Sequence, residues 1–292
     1  MVEKFLKYLQ YEKRCSPHTL TAYQTDLAQF AAYLQSSYEY PQPEMAGFPA
    51  VRSWIVSLVE AKLNAASVNR KIAALRTFYR FLMQQGTIDR NPMLKIRSLR
   101  ESKQLPHFVD ERQLNQVLDG SGFPAGFEGV RDQLVLELLY GTGIRLAELL
   151  GMDQNSISRF DKTIKITGKR NKQRIIPLHA GLLPLLETYQ AEKERTFQGT
   201  ADARLIVTDA GKAAYPMLIQ RIVRKYLTQT QAGKRSPHVL RHTFATHLLN
   251  KGADLNAIKD LLGHSSLAAT QVYTHNSLEK LKRVYEQAHP KA

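Results

Sequence analysis

Four stretches of this chain place polar side chains, of types suited to phosphate chemistry, at helix ends and turns. YGTGIRLAELLGM, residues 140–152, sets two glycines ahead of Arg145 at the start of a helix whose apolar residues are Leu146, Leu149 and Leu150. A permanently charged, forked donor held at a rigid helix end is a natural ligand for a phosphate. The turn GKRNK, residues 168–172, carries Lys169 at a hairpin tip. From there a lysine can deliver a proton or a positive charge to a leaving oxygen. SPHVLRH, residues 236–242, puts His238 and Arg241 one turn apart on a helix that Ser236 caps and Pro237 begins. An anion is already favoured near such a helix start. Finally, LLGHSSLAATQVYTHNS, residues 261–277, ends a helix at Gly263, follows at once with His264, and reaches Tyr273 through a short helical spacer.

Taken singly, each of these residues has an ordinary reading. Arg145 is a surface arginine, Lys169 an inert turn lysine, and the His238/Arg241 pair a common accident of spacing. Tyr273 is one packing tyrosine among thirteen, and His242 and His247 read as structural. Taken together, two arginines, two histidines, a lysine and a tyrosine suit attack of a phenolic oxygen on a phosphodiester. The arginines and a histidine would stabilise the charge that builds on the non-bridging oxygens. His238 would accept the phenol proton and Lys169 would protonate the departing 5′-oxygen. A phenol of ordinary pKa near 10 needs that help at neutral pH. No pair of carboxylates stands out to hold a metal, so the expected chemistry uses neither metal nor cofactor.

The elements that must position these groups are mostly helical. Val2, Phe5, Leu6 and Leu9 recur at helical spacing, Ser16-Pro17 opens a second helix continued by Leu20, Tyr23, Leu27, Phe30 and Leu34, and Val51 to Leu58 begin a third. A fourth runs from Val68 to Leu82 and ends at Gly86, so residues 1–92 read as a four-helix bundle. Arg70, Lys71, Arg76 and Arg80 are candidate phosphate contacts on its faces, or simply solvated helix faces. Residues 93–106, MLKIRSLRESKQLP, lack periodicity and read as a linker, leaving 107–292 as a second domain. Its helices are expected near 110–119, 129–140, 145–151 and 254–262. TIKITGKRNKQRIIPL, residues 163–178, alternates like a β-hairpin. The expected fold is therefore mainly α, with a mixed α/β second domain around a small hairpin or sheet.

Bulk composition narrows the partner. Lys and Arg number 41 against 26 Asp and Glu, a net charge of +15 spread along the chain. That surplus suggests a polyanion, above all nucleic acid gripped by folded surfaces. Apolar runs fall far short of a bilayer span of ~20 residues, and MVEKFLKYLQ lacks the apolar core of a secretion signal. A single cysteine, Cys15, allows no intrachain disulfide and fits a reducing cytoplasm.

In their order, GTGIR, GKRNKQRIIPL, HVLRHTFATHLL, LLGHSS and TQVYTH resemble the tyrosine recombinase (phage integrase) family, most closely its Xer-type members. The likeness covers nearly the whole chain, the N-terminal bundle resembling the family's SAM-like core-binding domain. It implies a catalytic set of Arg145, Lys169, His238, Arg241 and His264 with Tyr273 as nucleophile, and a structural supporting role for Glu148. It also implies a clamp of two domains around a double-stranded recombination site, a covalent 3′-phosphotyrosine, and a synaptic tetramer. In that tetramer the C-terminal helix, striped by Leu278, Leu281, Val284 and Tyr285, docks on a neighbour; packing on its own domain is the alternative. Resolution of chromosome dimers at a dif-like site is the expected role. A mobile-element integrase using the same residues, or a non-catalytic DNA-binding protein, are the rival readings. A paralogous recombinase as tetramer partner and a DNA translocase as regulator stay open.

Overall fold

Ser16 begins the first long helix because its hydroxyl accepts the Thr19 amide at 3.3 Å while Pro17 supplies a preset φ. In the computed structural model, which describes residues 1–39, 42–101, 107–119, 122–168, 172–263 and 275–291, four helices make the N-terminal unit. They are α1 (Val2–Lys7), which runs on through a π turn at Tyr8–Glu12, α2 (Pro17–Tyr38), α3 (Phe48–Glu60) and α4 (Ala65–Gln84). Asn64 caps α4 by accepting the Ser67 amide at 2.8 Å. The stripes predicted from periodicity meet in one core, in which Phe5, Phe30, Trp54, Ile72 and Phe78 are essentially inaccessible. Phe5 lies edge-on to Phe78 at 5.3 Å, a favoured aromatic geometry.

Two expectations for this unit change. Lys71 is not a surface group: it is buried, and its ammonium pairs with the equally buried Asp26 at 2.9 Å. Arg70 closes the other oxygen of Asp26 at 2.5 Å. The physical reason is that an Asp taken out of water must be paired. Arg76 is turned inward to the chain, donating to the Ile96 carbonyl at 2.6 Å and to Ser98 at 3.1 Å. Accordingly the segment read as a linker from residue 93 folds back on the bundle. Met93 and Ile96 are buried in its core, and Asn69 brackets Leu99 with bonds of 2.7 and 3.0 Å. The division between the two compact units falls after Gln104.

The second unit is built around α6 (Phe127–Thr142), buried on nearly every side, with its buried charges paired, Arg131 with Asp132 at 2.8 Å and Glu137 with Lys291 at 2.5 Å. Packed with it are α5 (Glu111–Asp119), α7 (Leu146–Gly151), α8 (Leu182–Phe197), α9 (Pro216–Leu227) and α10 (Pro237–Asn250). A three-stranded antiparallel sheet runs β1 (Ile157–Ser158), β2 (Thr163–Thr167), β3 (Gln173–Pro177) in that spatial order. Its register sets Ile164 against Ile176 and Ile166 against Arg174. One face therefore buries three isoleucines and an arginine. Helices α11 (Leu255–Leu262) and α12 (His275–Ala288) complete the unit. The stripe assigned to a neighbouring subunit is used within this chain. Leu281 and Tyr285 are buried in its own core, Val284 packs against it, and the Tyr285 hydroxyl donates to the Gly141 carbonyl at 2.7 Å. The side chain of Leu278 lies outside what is described. Among the described residues no helix is long and apolar enough to cross a membrane.

Candidate active site

Arg145 is placed by a turn that only glycine can make. After α6, Gly143 adopts a left-handed φ of +60°, and a Cβ there would come within 2.5 Å of the Phe244 ring. Ile144 then drops into the core and Arg145 becomes the N-cap of α7. Glu148, one turn later, reaches back to accept the Arg145 amide at 2.7 Å and its guanidinium at 2.9 Å. Arg145 remains 41% exposed, whereas Glu148 is buried.

Arg241 stands one turn into α10 and is half-buried. It donates to the Gly143 carbonyl at 2.5 Å and to the Leu262 carbonyl at 2.7 Å. It thereby ties the turn that carries Arg145 to the last turn of α11. His238, at the start of the same helix, is exposed. Pro237 takes the first position as expected, but Ser236 makes no side-chain capping bond. His247 is structural: its Nε2 faces the Val109 carbonyl at 3.0 Å and so carries the proton, leaving Nδ1 to accept from Tyr140 at 3.0 Å. Burial keeps its pKa below the ordinary value.

A fourth participant was not singled out from the sequence. Arg174, on the buried face of β3, forks onto both oxygens of Glu148 at 2.9 and 2.8 Å and donates through Nε to the Leu261 carbonyl at 2.9 Å. The signal was present in the alternation of the hairpin: Arg174 shares a face with Ile176, where an unpaired charge could not be buried. Burial alone would raise the Glu148 pKa, but the Arg174 fork and the bonds from Arg145 outweigh it and hold the carboxyl at about 2. Arg241 shows the opposite effect. Burial, then repulsion from Arg145 and Arg174, lowers its pKa to about 10 despite the offsetting Glu148. Three guanidinium groups around one carboxylate leave a surplus of positive charge in a partly desolvated place, the condition for holding an anion.

Lys169, His264 and Tyr273 lie outside the described residues. The chain is described on both sides of the Lys169 turn and just before His264. Gly168 and Lys172 close the hairpin tip with a 2.7 Å bond. Gly168 lies against Glu148: a Cβ there would stand 3.4 Å from its carboxylate. Gly263, left-handed at φ +63°, ends α11 just before His264, and a Cβ there would stand 3.0 Å from Arg174 Cδ. The described residues hold no group of three His, Cys, Asp or Glu side chains able to bind a metal.

Residues 107–280 match the model of the phage integrase family, and residues 2–86 match that of the phage integrase N-terminal SAM-like domain. The chain belongs to the phage integrase family. Within this family it is a tyrosine recombinase of the Xer type, an enzyme that breaks and rejoins DNA. It is 38% identical to tyrosine recombinase XerC of Chlorobaculum parvum, over 100% of this chain and 94% of the relative. The XerC of Pelobacter propionicus is 37% identical over 100% and 95%. In fold the chain resembles an XerH site-specific recombinase bound to palindromic difH substrate in a post-cleavage complex. The TM-score is 0.73 at 20% identity, over 97% of this chain and 83% of that one. In this recombinase Arg145 and Arg241 lie in one charged cluster with Glu148, which the sequence reading gave a supporting role, and with Arg174, which it did not single out.

Proposed function

We propose that this recombinase cleaves and reseals a duplex DNA site with Tyr273 as nucleophile. The observation that supports this reading is that Arg241 ties the Gly143 turn, which carries Arg145, to Leu262 at the end of α11, two residues before His264 in the sequence. The scissile phosphate sits against the exposed part of Arg145, with Arg241 and His264 sharing its non-bridging oxygens. The Tyr273 oxygen attacks phosphorus, His238 takes the phenol proton, and Lys169 protonates the 5′-oxygen as its bond to phosphorus breaks. The product is a 3′-phosphotyrosine that conserves the ester bond, so a second 5′-hydroxyl reverses the step without a nucleotide cofactor. Each stabilising donor is worth ~10²–10³ in rate. The protein acts in the cytoplasm on a dif-like chromosomal site, as a tetramer of its own copies or with a paralogous recombinase. Support for the site assignment comes from the relatives' XerC names and from the likeness to a recombinase described as bound to difH.

The test is a nicked duplex bearing the site, incubated with the protein and resolved under denaturing conditions. Wild type should give a protein–DNA adduct and Tyr273→Phe none. An adduct from the Phe variant, or none from wild type on the bound chromosomal site, rejects the assignment.

A further inference from the structure

Every polar hydrogen-bonding arm of the Arg174 side chain is committed to protein. It reaches Glu148 with two nitrogens and Leu261 with the third, and it is buried on an otherwise apolar strand face. It cannot itself contact a phosphate without giving up those bonds. What it holds, however, are the carriers of three groups assigned to the reaction. Through Glu148 it reaches both the amide and the guanidinium of Arg145. Through Leu261 it grips the end of α11, two residues before Gly263 and three before His264. Its own strand, β3, pairs with β2, and Lys169 lies between the two in the sequence. The Arg174 side chain runs close beside Gly263, where an added Cβ would stand 3.0 Å from Arg174 Cδ.

The charge balance gives this arrangement a purpose. A buried Glu148 with only Arg145 as partner would draw that guanidinium wholly into an ion pair and cancel its charge. With both carboxylate oxygens already occupied by Arg174, Arg145 spends one nitrogen on Glu148 and keeps the rest, with its side chain 41% exposed, for an anion. We propose that Arg174 is a positioning residue for strand cleavage, which aims Arg145 through Glu148 and fixes the α11 end that leads to His264. The inference rests on the assignment of Arg145 and His264 to the cleavage site. Lysine cannot replace it: an ammonium is a point charge that does not bridge two carboxylate oxygens and a carbonyl in one plane.

The experiment compares wild type with Arg174→Lys on the nicked site duplex, measuring single-turnover adduct formation, site binding by gel mobility, and thermal unfolding by far-UV circular dichroism. Displacement of an aimed group by about 1 Å costs on the order of 100-fold. Arg174→Lys should therefore form the adduct roughly 10- to 100-fold more slowly at saturating protein, with site affinity within about threefold of wild type. A rate within about threefold of wild type overturns the inference. So does a rate loss matched by an equal loss of site binding, which would make Arg174 merely structural. If Arg174→Lys does not fold, Glu148→Asp, which keeps the charge but withdraws it from the fork, is judged by the same criterion. Failure of wild type to form any adduct refutes the assignment of the cleavage site instead, and with it the premise for Arg174.

Discussion

Replacing Glu148 by Gln removes the one negative charge from a buried set that also contains Arg145, Arg174 and Arg241. The size of the effect follows from its ionisation. Its carboxyl is lowered from 4.5 to about 2, a difference of roughly 2.5 units at about 1.4 kcal/mol each, so the charged form stabilises the fold by roughly 3 kcal/mol. That agrees with the ~3–5 kcal/mol typical of breaking a buried ion pair. In a unit of this size, roughly 3 kcal/mol corresponds to a fall of about 6–12 °C in melting temperature. The sign with pH is fixed by the lowered folded-state value. The stabilisation is fully present above 4.5 and is lost only as pH falls towards 2, so the gap between wild type and Glu148→Gln should be the same at pH 7 and pH 5.5. The assay can separate the two units, because the single tryptophan, Trp54, lies in the N-terminal core. Far-UV circular dichroism follows both units, while Trp54 fluorescence follows the first. The dichroism transition of the second unit should move and the fluorescence transition should stay. A loss under ~1 kcal/mol, a gap that changes between the two pH values, or an equal shift in fluorescence would refute the reasoning.

The converse substitution in the first unit, Asp26→Asn, strands the buried Lys71 ammonium, which lies 6.0 Å from the Trp54 ring. It should cost ~3–5 kcal/mol, read this time by Trp54 fluorescence in a urea titration, and a midpoint unchanged from wild type would contradict the burial of that pair. At the C-terminus, burial first and then the neighbouring His179, Lys251, Lys291 and His247 push the His289 pKa well below 6.5, so the imidazole is folded neutral and charges on unfolding. The second unit should lose stability as pH falls below 6.5, by up to about 1.4 kcal/mol per pH unit for this group, and His289→Phe should flatten that slope between pH 7.5 and 5.5. Parallel slopes for the two proteins would show that His289 is not held neutral.

What the sequence made legible, and what it hid, divides along contact distance in the chain. Helices α2, α4 and α11 were readable because their signals are local: Ser16-Pro17 at the start of α2, apolar stripes within, and Gly263 at the end of α11. The hairpin was readable for the same reason, since alternation and a turn suffice to define it. Arg145 and Arg241 could be named because glycine geometry and helix spacing single them out within a dozen residues. The spacing of Met93, Ile96 and Leu99 by threes was a local signal too, but their burial depends on partners such as Asn69, some thirty residues earlier. The fate of Lys71 was decided by Asp26, 45 residues away, and no periodicity on α4 distinguishes a buried cation from a solvated one.

The same rule explains why the centre of the site was the least visible part. Arg174 is joined to Leu261 across 87 residues and to Glu148 across 26, and Arg241 to Gly143 across 98. Each of these bonds satisfies a wholly or partly buried polar group that would otherwise be costly, so losing one destabilises the unit. A charged side chain on an alternating strand therefore has two outcomes that look identical in sequence, a hairpin slipped to face water or a partner waiting elsewhere in the chain. For Arg174 the burial of Ile164, Ile166 and Ile176 excludes the first, since turning the hairpin over would expose three isoleucines to rescue one arginine. The partner had to exist, and an acidic residue three positions after Arg145, placed to accept at a helix start, was the natural one.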